Sequence, residues 1–426
     1  ADGSVGESSE GAGDGPDGPL GDADGDTIIN EDEILGFTTI NGAFYTTDPL
    51  KADSDDDGYD DVVETGGGTF TSLTDTGTSP VDPDTDRDCL PDGVETNTGL
   101  FVSDTDTGTN PHTVNYDEDG FQDGTEVLYG TNPTNDAEEP DIALLPDILF
   151  IGGSDPDLNG EPGGAGDIAV FYQMSCRYGY EAITYLQSAA PATEAEGRDL
   201  VVLSSTPGSG DLRNKFPNVA VPMINWEEAV ADNGGGEFGM CDTMVKSGGN
   251  TPTTQMALAD HPITAGMPAT IDLFSGATGQ TSGTPDLFAG LTAVGTAVDG
   301  NIAGNVMLFV AETGDALDPA AGVNDNVAPA RRVMFPFTDG TARFASDEFN
   351  QLLGQSMDWA MGLIGDGSEP SGLTIGQTGP TSFTFTWPGG GTGNIEASTT
   401  GEDGTWSDVA TGVSSPATLN PVSYTH

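Results

Sequence analysis

The sequence contains few basic residues. Only 10 lysines and arginines stand against 70 aspartates and glutamates, so the formal net charge of the 426-residue chain is -60 at pH 7. This excess of negative charge repels phosphate and argues against nucleic acid as a partner. It favours a protein that binds cations or works in a salty medium.

Long apolar runs and cysteines are also scarce. No segment approaches the roughly 18 consecutive apolar residues of a membrane span, and the length predicts two to four domains. Cys89, Cys176 and Cys241 allow at most one internal disulfide, for which Cys176–Cys241 is one alternative. The chain starts at Ala1 rather than Met, which suggests a removed signal peptide.

Changes in composition divide the chain into four segments. Residues 1–21 are acidic and rich in glycine, and they have too little apolar content to fold alone. Residues 22–144 contain acidic repeats, residues 145–366 contain apolar runs, and residues 367–426 alternate polar and apolar side chains.

A twelve-residue acidic pattern recurs four times in the second segment. The copies start at residues 22, 53, 84 and 115, a spacing of 31 that identifies an internal repeat rather than biased composition. Oxygen-bearing side chains at positions 1, 3, 5, 9 and 12, with a backbone carbonyl at position 7, form the ligand pattern of a calcium loop. The predicted Ca²⁺ ligands are Asp22, Asp24, Asp26, Ile28, Asn30 and Glu33; Asp53, Asp55, Asp57, Tyr59, Asp61 and Glu64; Asp84, Asp86, Asp88, Leu90, Asp92 and Glu95; and Asn115, Asp117, Asp119, Phe121, Asp123 and Glu126.

The four loops differ at position 6, where the chain must turn sharply. Gly58 and Gly120 occupy this position in the second and fourth loops, but Thr27 and Cys89 occupy it in the first and third. A left-handed backbone at these two residues is strained by about 1 kcal/mol or more. We therefore expect the first and third loops to bind calcium more weakly.

Prolines precede three of the loops by four residues. Pro49, Pro80 and Pro111 lie where a helix–loop–helix hand would need its entering helix. A helical hand is therefore not expected.

The motifs DADGDTIINEDE, DSDDDGYDDVVE, DTDRDCLPDGVE and NYDEDGFQDGTE, with the spacers ETNTG and YGTNPTN, resemble bacterial thrombospondin type 3 calcium repeats over roughly residues 22–140. The resemblance implies an irregular chain wrapped around calcium ions that form much of its core. It also implies secretion, because weak calcium sites fill only where calcium is millimolar.

The third segment alternates apolar runs with helical patterns. Runs such as Asp147–Gly153 and Asp199–Ser205 predict buried strands, and Gly166–Tyr178 and Asp347–Leu363 predict helices. This alternation predicts an α/β fold with a mainly parallel sheet covered on both faces.

The stretches DLVVLSSTPGSGDLRNKF, VAVPMINWEEA, ALADHPITAGMP and RRVMFPF resemble glutamine-amidotransferase-like domains related to the trehalose-utilisation group, which implies a flavodoxin-like layered sheet. Active members need a cysteine on a strand-to-helix elbow. Cys176 lies in a helical pattern and Cys241 follows a glycine-rich loop, so no catalytic residue is assigned. His261 is the best candidate base, but we interpret it as a turn cap.

The final segment resembles the opening strands of a fibronectin type III sandwich, in PSGLTIGQTGPTSFTFTW, with Trp387 as the expected core aromatic. About sixty residues are fewer than the roughly 100 of such a sandwich, which implies an incomplete all-β domain. Its open strand edge would be a template for pairing with another chain.

Together these features predict a secreted, calcium-stabilised structural protein of a bacterial surface layer, extracellular filament or matrix. The expected partners are copies of itself or other surface proteins, with no nucleic acid. One alternative is an extracellular enzyme acting on a sugar or amide, with Ser204, Ser205 and Ser209 at a strand end. Another is a carbohydrate-binding adhesin that stacks glycans on Trp226 or Trp387, although core packing explains both residues more simply.

Overall fold

The computed structural model describes residues 18–153, 165–247, 252–275, 281–322, 324–336, 338 and 341–364, and the backbone of five strands between residues 374 and 419. These residues form two compact units. The first unit comprises the described part of Ala1–Pro146 together with Phe171–Ile183, and the second comprises the described parts of Asp147–Val170 and Thr184–His426. Most of the predicted segment 1–21 lies outside the described residues.

The first unit is mostly irregular chain. Between residues 18 and 146 its regular elements are α1 (Asn30–Leu35), β1 (Phe37–Thr38), β2 (Phe44–Tyr45), α2 (Asp61–Glu64), α3 (Asp123–Tyr129) and the 3₁₀ turns Asp92–Val94 and Ile142–Leu144. Each of the four helical segments at the loops begins at position 9 of its loop. Residues 36–52, 65–83 and 95–114, which precede the second, third and fourth loops, contain no helix, as the prolines predicted.

The second unit is built on a nine-stranded sheet. Its strands, in chain order, are β3 (Ile148–Gly152), β4 (Ile183–Gln187), β5 (Leu200–Leu203), β6 (Met223–Asn225), β8 (Gln255–Leu258), β9 (Thr270–Asp272), β11 (Thr292–Ala297), β12 (Val306–Ala311) and β13 (Arg332–Met334). Across the sheet they lie in the order β4-β3-β5-β6-β13-β12-β11-β8-β9. Two short strands, β7 (Val245–Lys246) and β10 (Ser282–Gly283), form a separate antiparallel pair.

The large sheet is mixed. Strand β5 pairs in parallel with β3 and β6, and β6 pairs in parallel with β13. From β13 onward, β12, β11, β8 and β9 follow one another in antiparallel pairs. The α/β prediction is therefore confirmed, but the prediction of a mainly parallel sheet is wrong, because four successive pairings are antiparallel.

Both predicted long helices of this region are present. They are α4 (Ala165–Tyr178) and α7 (Asp347–Met361), with the short α5 (Ser209–Leu212) and α6 (Glu228–Ala231) between them. The Ser346 hydroxyl caps α7 by accepting a hydrogen bond from the Phe349 N–H at 3.1 Å. Helix α7 packs on β5, β6, β9 and β13, where its apolar side chains bury one face of the sheet.

The core of the second unit is apolar. Leu149, Val201, Met223, Phe309 and Met334 come from five neighbouring strands and are all fully buried. Continuous apolar strands of this kind occur where both faces of a sheet are covered. No helix in the described part of the chain is long and apolar enough to cross a membrane.

Five further strands follow in the final segment: β14 (Thr374–Gly379), β15 (Ser382–Thr386), β16 (Thr392–Ala397), β17 (Ser407–Ser414) and β18 (Ala417–Leu419). They form a three-stranded sheet, β14-β15-β18, and the pair β16-β17, all antiparallel. Trp387 lies outside the described residues, so the sandwich assignment stays a prediction.

Candidate metal centre

The four acidic loops close in the same way. In each loop, the backbone N–H at position 2 donates a hydrogen bond to the side-chain oxygen at position 9. The donor–acceptor distances are 3.0 Å for Ala23–Asn30, 2.8 Å for Ser54–Asp61, 2.9 Å for Thr85–Asp92 and 2.8 Å for Tyr116–Asp123. Position 9 therefore holds together the two ends of each loop.

A second shared hydrogen bond orients the carboxylate at position 5. One oxygen of this aspartate accepts from the N–H at position 7 in every loop, while the opposite oxygen stays without a partner. The four donors are Ile28, Tyr59, Leu90 and Phe121, at 2.7, 2.7, 2.8 and 2.8 Å from Asp26, Asp57, Asp88 and Asp119. The free oxygens are buried.

Two positions in each loop have a left-handed backbone. At position 6, φ is +85° in Thr27, +110° in Gly58, +81° in Cys89 and +127° in Gly120, as the sequence predicted for this turn. Position 4 is also left-handed, although the ligand pattern did not predict it, with φ of +92° in Gly25, +63° in Asp56, +69° in Arg87 and +63° in Glu118. The third loop is thus the one loop of the four with glycine at neither position.

The left-handed residues wrap the chain around the side chain at position 1. In the third loop, Arg87 and Cys89 donate their N–H groups to the two oxygens of Asp84, both at 2.7 Å. The N–H groups of Gly25 and Thr27 contact Asp22 in the same way in the first loop, at 2.7 and 3.2 Å. The strained backbone therefore positions the first carboxylate of the site.

Adjacent loops lie in direct contact. A Cβ atom added to Gly93 would lie 2.2 Å from the carbonyl oxygen of Asp57, and one added to Gly124 would lie 1.9 Å from that of Asp88. Glycine at position 10 thus allows the third and fourth loops to approach the loop before them. The contact between loops and the role of these two glycines were not predicted from the sequence, and only the structure identifies them.

This stacking brings carboxylates of successive loops together. Oxygen atoms of Asp26, Glu33 and Asp61 lie within 4.8 Å of one another, and so do those of Asp57, Glu64 and Asp92. In both groups the third residue belongs to the following loop. Within single loops, the carboxylates at positions 1, 3 and 5 also converge, in the groups Asp22–Asp24–Asp26, Asp53–Asp55–Asp57 and Asp84–Asp86–Asp88.

The glutamates at position 12 are almost completely buried. Glu33, Glu64, Glu95 and Glu126 are at most 1% exposed. One oxygen of Glu33 and one of Glu64 accept hydrogen bonds from Thr47 and Thr78, at 3.2 and 2.9 Å, while the other oxygen of each has no donor. Such unpaired buried oxygens are destabilising unless a cation neutralises them.

Burial raises the pKa values of these acids in the metal-free chain, and neighbouring carboxylates add to the effect. The pKa of Glu33 rises to about 7, that of Asp55 to about 7 and that of Glu64 to about 10. The same causes raise the pKa of Glu126 to about 9. Near neutral pH the folded loops must therefore either retain protons or hold cations.

Residues of the segment Phe171–Ile183 contact the third and fourth loops within the first unit. The Tyr172 hydroxyl donates a hydrogen bond to Asp84 at 2.6 Å, and Glu181 accepts one from the N–H of Gln122 at 2.8 Å. Cys176 forms a disulfide with Cys89, with the two Cα atoms 5.1 Å apart. The alternative Cys176–Cys241 pairing is wrong, because Cys241 is a free thiol buried in the apolar core of the second unit.

Cys241 and His261, the candidate catalytic residues of the second unit, have structural roles. Burial raises the pKa of Cys241 to about 12, the opposite of the change that activates a thiol. His261 caps the 3₁₀ turn Pro262–Thr264, as predicted, with its Nδ1 accepting from the Ile263 N–H at 3.2 Å. The pKa of His261 is lowered to about 4, mainly by burial and to a smaller extent by the positive charge of the nearby Arg331.

Ser204, directly after β5, belongs to a polar cluster with Thr206 and Asp167, whereas the buried Ser205 hydroxyl has no hydrogen-bond partner. Ser204 and Thr206 donate their hydroxyl hydrogens to the two carboxylate oxygens of Asp167, each at 2.5 Å, and Asp167 lies in the first turn of α4. Ser209 begins α5. Asp167 was not predicted from the sequence, because only the fold brings this helix start to the strand end.

Trp226 is only 3% exposed, and its ring packs edge-on against Phe150 with centroids 5.8 Å apart. The core explanation of this residue is confirmed, and Trp226 is not available to stack on a glycan.

No protein-family profile matches the sequence, and no curated protein is similar to it. Among solved structures, one match is a protein described as a GMP synthase component from Thermoplasma acidophilum, with 11% identity and a TM-score of 0.31 over 51% of this chain and 96% of the other. Another is a ThuA-like protein from Bacteroides uniformis, with 11% identity and a TM-score of 0.34 over 52% and 94% of the two chains. Both similarities are too low to assign this chain to a family.

Proposed function

We propose that residues 22–144 bind Ca²⁺ and form the calcium-stabilised segment of a secreted structural protein. The observation that carries this proposal is the recurrence, in all four loops, of a buried position-5 carboxylate oxygen without a hydrogen-bond donor. Without a common ligand, burying the same carboxylate oxygen in all four copies of the repeat would only be destabilising. A bound cation gives these oxygens a common partner.

The donor set favours calcium over other metals. The candidate ligands are carboxylate, amide and carbonyl oxygens, whereas zinc and copper prefer nitrogen or sulfur. Ca²⁺ accepts six to eight oxygens in an adaptable arrangement, while Mg²⁺ demands a near-octahedral one and keeps several waters. The residues of positions 1, 3, 5, 7 and 12, with position-9 aspartates of the following loop, would hold about four or more ions.

Calcium would supply the positive charge that the chain lacks. Residues such as Asp57 and Glu64 would then stay ionised when buried, because their repulsion is replaced by coordination. Sites of extracellular modules are typically filled at about 10⁻⁴ to 10⁻³ M calcium. This is why we place the protein outside the cell, in a surface layer, filament or matrix, with copies of itself or other surface proteins as partners.

Calcium titration of the stripped, full-length chain tests the proposal. Isothermal titration should show saturable binding of about four or more equivalents of Ca²⁺ and much weaker binding of Mg²⁺. Absence of saturable calcium binding would contradict it. The assembly part is separate: a chain that remains monomeric by light scattering at millimolar calcium would remove self-association from the proposal.

The described surroundings of Cys241 and His261 do not favour the alternative enzymatic role. Neither side chain has the activated pKa that acid–base or nucleophilic chemistry near neutral pH requires.

A further inference from the structure

We infer that the Cys89–Cys176 disulfide makes the third loop a redox-sensitive calcium site; this inference rests on the proposed function. The disulfide lies within the predicted ligand sequence, because Cys89 is position 6, between the ligands Asp88 and Leu90. A change in the covalent state of Cys89 therefore acts directly on the backbone of the site.

The third loop needs an external restraint more than the other three. Glycine occupies position 4 in the first loop and position 6 in the second and fourth, but Arg87 and Cys89 occupy both left-handed positions of the third. Residues with a Cβ atom disfavour this conformation. Without a restraint, the chain would relax away from the geometry that directs both N–H groups to Asp84.

Two contacts from α4 restrain the third loop. Tyr172 and Cys176 are four residues apart on α4, so they lie on the same side of the helix. The tyrosine hydroxyl contacts Asp84 at position 1, and the cysteine is bonded to position 6. The two contacts hold the residues that the left-handed backbone must bring together.

The bond is open to chemical reduction. Cys89 and Cys176 are both only partly buried. A dithiol can attack one sulfur through its thiolate, break the S–S bond and form a mixed disulfide, which its second thiol resolves. Two electrons and two protons pass to the protein, which is left with two cysteine thiols while the reductant becomes a cyclic disulfide.

Reduction then lowers the calcium affinity of the third loop. In the reduced chain, part of the free energy of calcium binding is consumed in ordering Arg87 and Cys89 into the left-handed conformation. We expect about one equivalent of the calcium bound by the full chain to weaken by roughly tenfold, and the others to change little.

The experiment compares calcium titrations of the full-length chain before and after treatment with dithiothreitol, with Ca²⁺ alone as the probe. Two double variants separate backbone strain from other effects of losing the bond. Cys89→Gly/Cys176→Ser removes the disulfide but supplies the glycine of the second and fourth loops, so it should bind calcium like the oxidised chain. Cys89→Ala/Cys176→Ser differs by one methyl group and should bind like the reduced chain. Neither variant should respond to dithiothreitol.

The outcomes distinguish this inference from the proposed function. Equal calcium binding by the oxidised and reduced chains, or by the two double variants, overturns the redox inference and leaves calcium binding intact. An oxidised chain that binds no calcium overturns both. Hydrogen exchange of residues 84–95 gives a second readout. In the presence of calcium, these amides should exchange faster in the reduced chain than in the oxidised chain, because reduction releases the loop.

Discussion

The loop region of the first unit and the second unit bury different kinds of side chain. In the described residues 18–144, Leu90 is the one buried aliphatic or aromatic side chain other than proline, whereas Asp61, Asp92 and Glu126 have no exposure at all. In the second unit the fully buried side chains include Phe150, Leu203 and Phe309. The second core excludes water from apolar surface, but the first gathers charges that repel one another.

This difference teaches that burial alone does not identify a source of stability. Burying apolar surface contributes roughly 25 cal/mol per Å², while burying an unpaired carboxylate is unfavourable. The second unit can be stable with its own side chains. The first, under our proposal, depends on cations from solution, so the two units should respond differently to the same changes.

Without metal, the melting temperatures of the two units should respond most differently to acid, because many carboxyl groups of the first unit titrate together. The pKa values of Asp57, Asp55 and Glu33 are raised to about 6, 7 and 7 in the folded chain. The stability that these protonated groups contribute is fully present below their ordinary pKa values near 4 and is lost as the pH rises through 6 to 7. In EGTA, the first unit should therefore melt at a higher temperature at pH 5 than at pH 8.

In the second unit His261 responds in the opposite direction, whereas Glu237, whose pKa burial raises to about 7, responds in the same direction as the first unit. The pKa of His261 is lowered to about 4. The stability that the neutral imidazole contributes is therefore fully present above the ordinary pKa of 6.5 and is lost as the pH falls toward 4. Calorimetry in EGTA across pH 4 to 8 measures both units. Because these two contributions oppose each other, the second transition should change less than the first between pH 8 and pH 5. Equal changes in the two transitions would contradict this account, and added calcium should reverse the trend in the first unit.

Removal of a core aromatic side chain tests the second unit alone. Phe309 is fully buried in β12, so Phe309→Ala should lower the free energy of unfolding of the second unit by about 3–5 kcal/mol. Denaturant unfolding in calcium and in EGTA should give the same loss. A loss that depends strongly on calcium would show that the second core also depends on metal.

A single methyl group tests the contact between loops. Gly124→Ala places a Cβ atom 1.9 Å from the carbonyl oxygen of Asp88, so the backbone must shift, which should destabilise the first unit by about 1–3 kcal/mol. Gly67→Ala is the matched control, because nothing lies within 4 Å of the Cβ atom it would add. Similar melting temperatures for the two variants in calcium would argue against stacked loops.

Neutralising a buried ligand should have effects of opposite sign with and without calcium. Glu64→Gln keeps an oxygen that can accept from Thr78 but removes the charge. The melting temperature of the first unit should rise in EGTA at pH 8 and fall in calcium. Each change should correspond to about 1 kcal/mol in the free energy of unfolding. Glu118→Gln, at an exposed position, should change neither. A decrease in both conditions would mean that Glu64 acts through packing rather than charge.

Local features were predictable from the sequence, whereas contacts between distant residues were not. The 31-residue repeat located the loops, and the turn at Gly58 and Gly120 followed from their position. The left-handed backbone of Gly25 and the close approach at Gly124 depend on how the loops wrap and stack, which the ligand spacing does not specify. The α/β class followed from apolar runs, but Cys89 and Cys176 are 87 residues apart, and only the fold pairs them.

The most direct test of the account is hydrogen–deuterium exchange of the full-length chain in millimolar calcium and in EGTA at pH 8. We predict that residues 22–130 lose their protection when calcium is removed, while strands β3, β5, β6 and β12 exchange as slowly as before. Unchanged protection of residues 22–130 in EGTA would contradict the claim that calcium forms the core of the first unit.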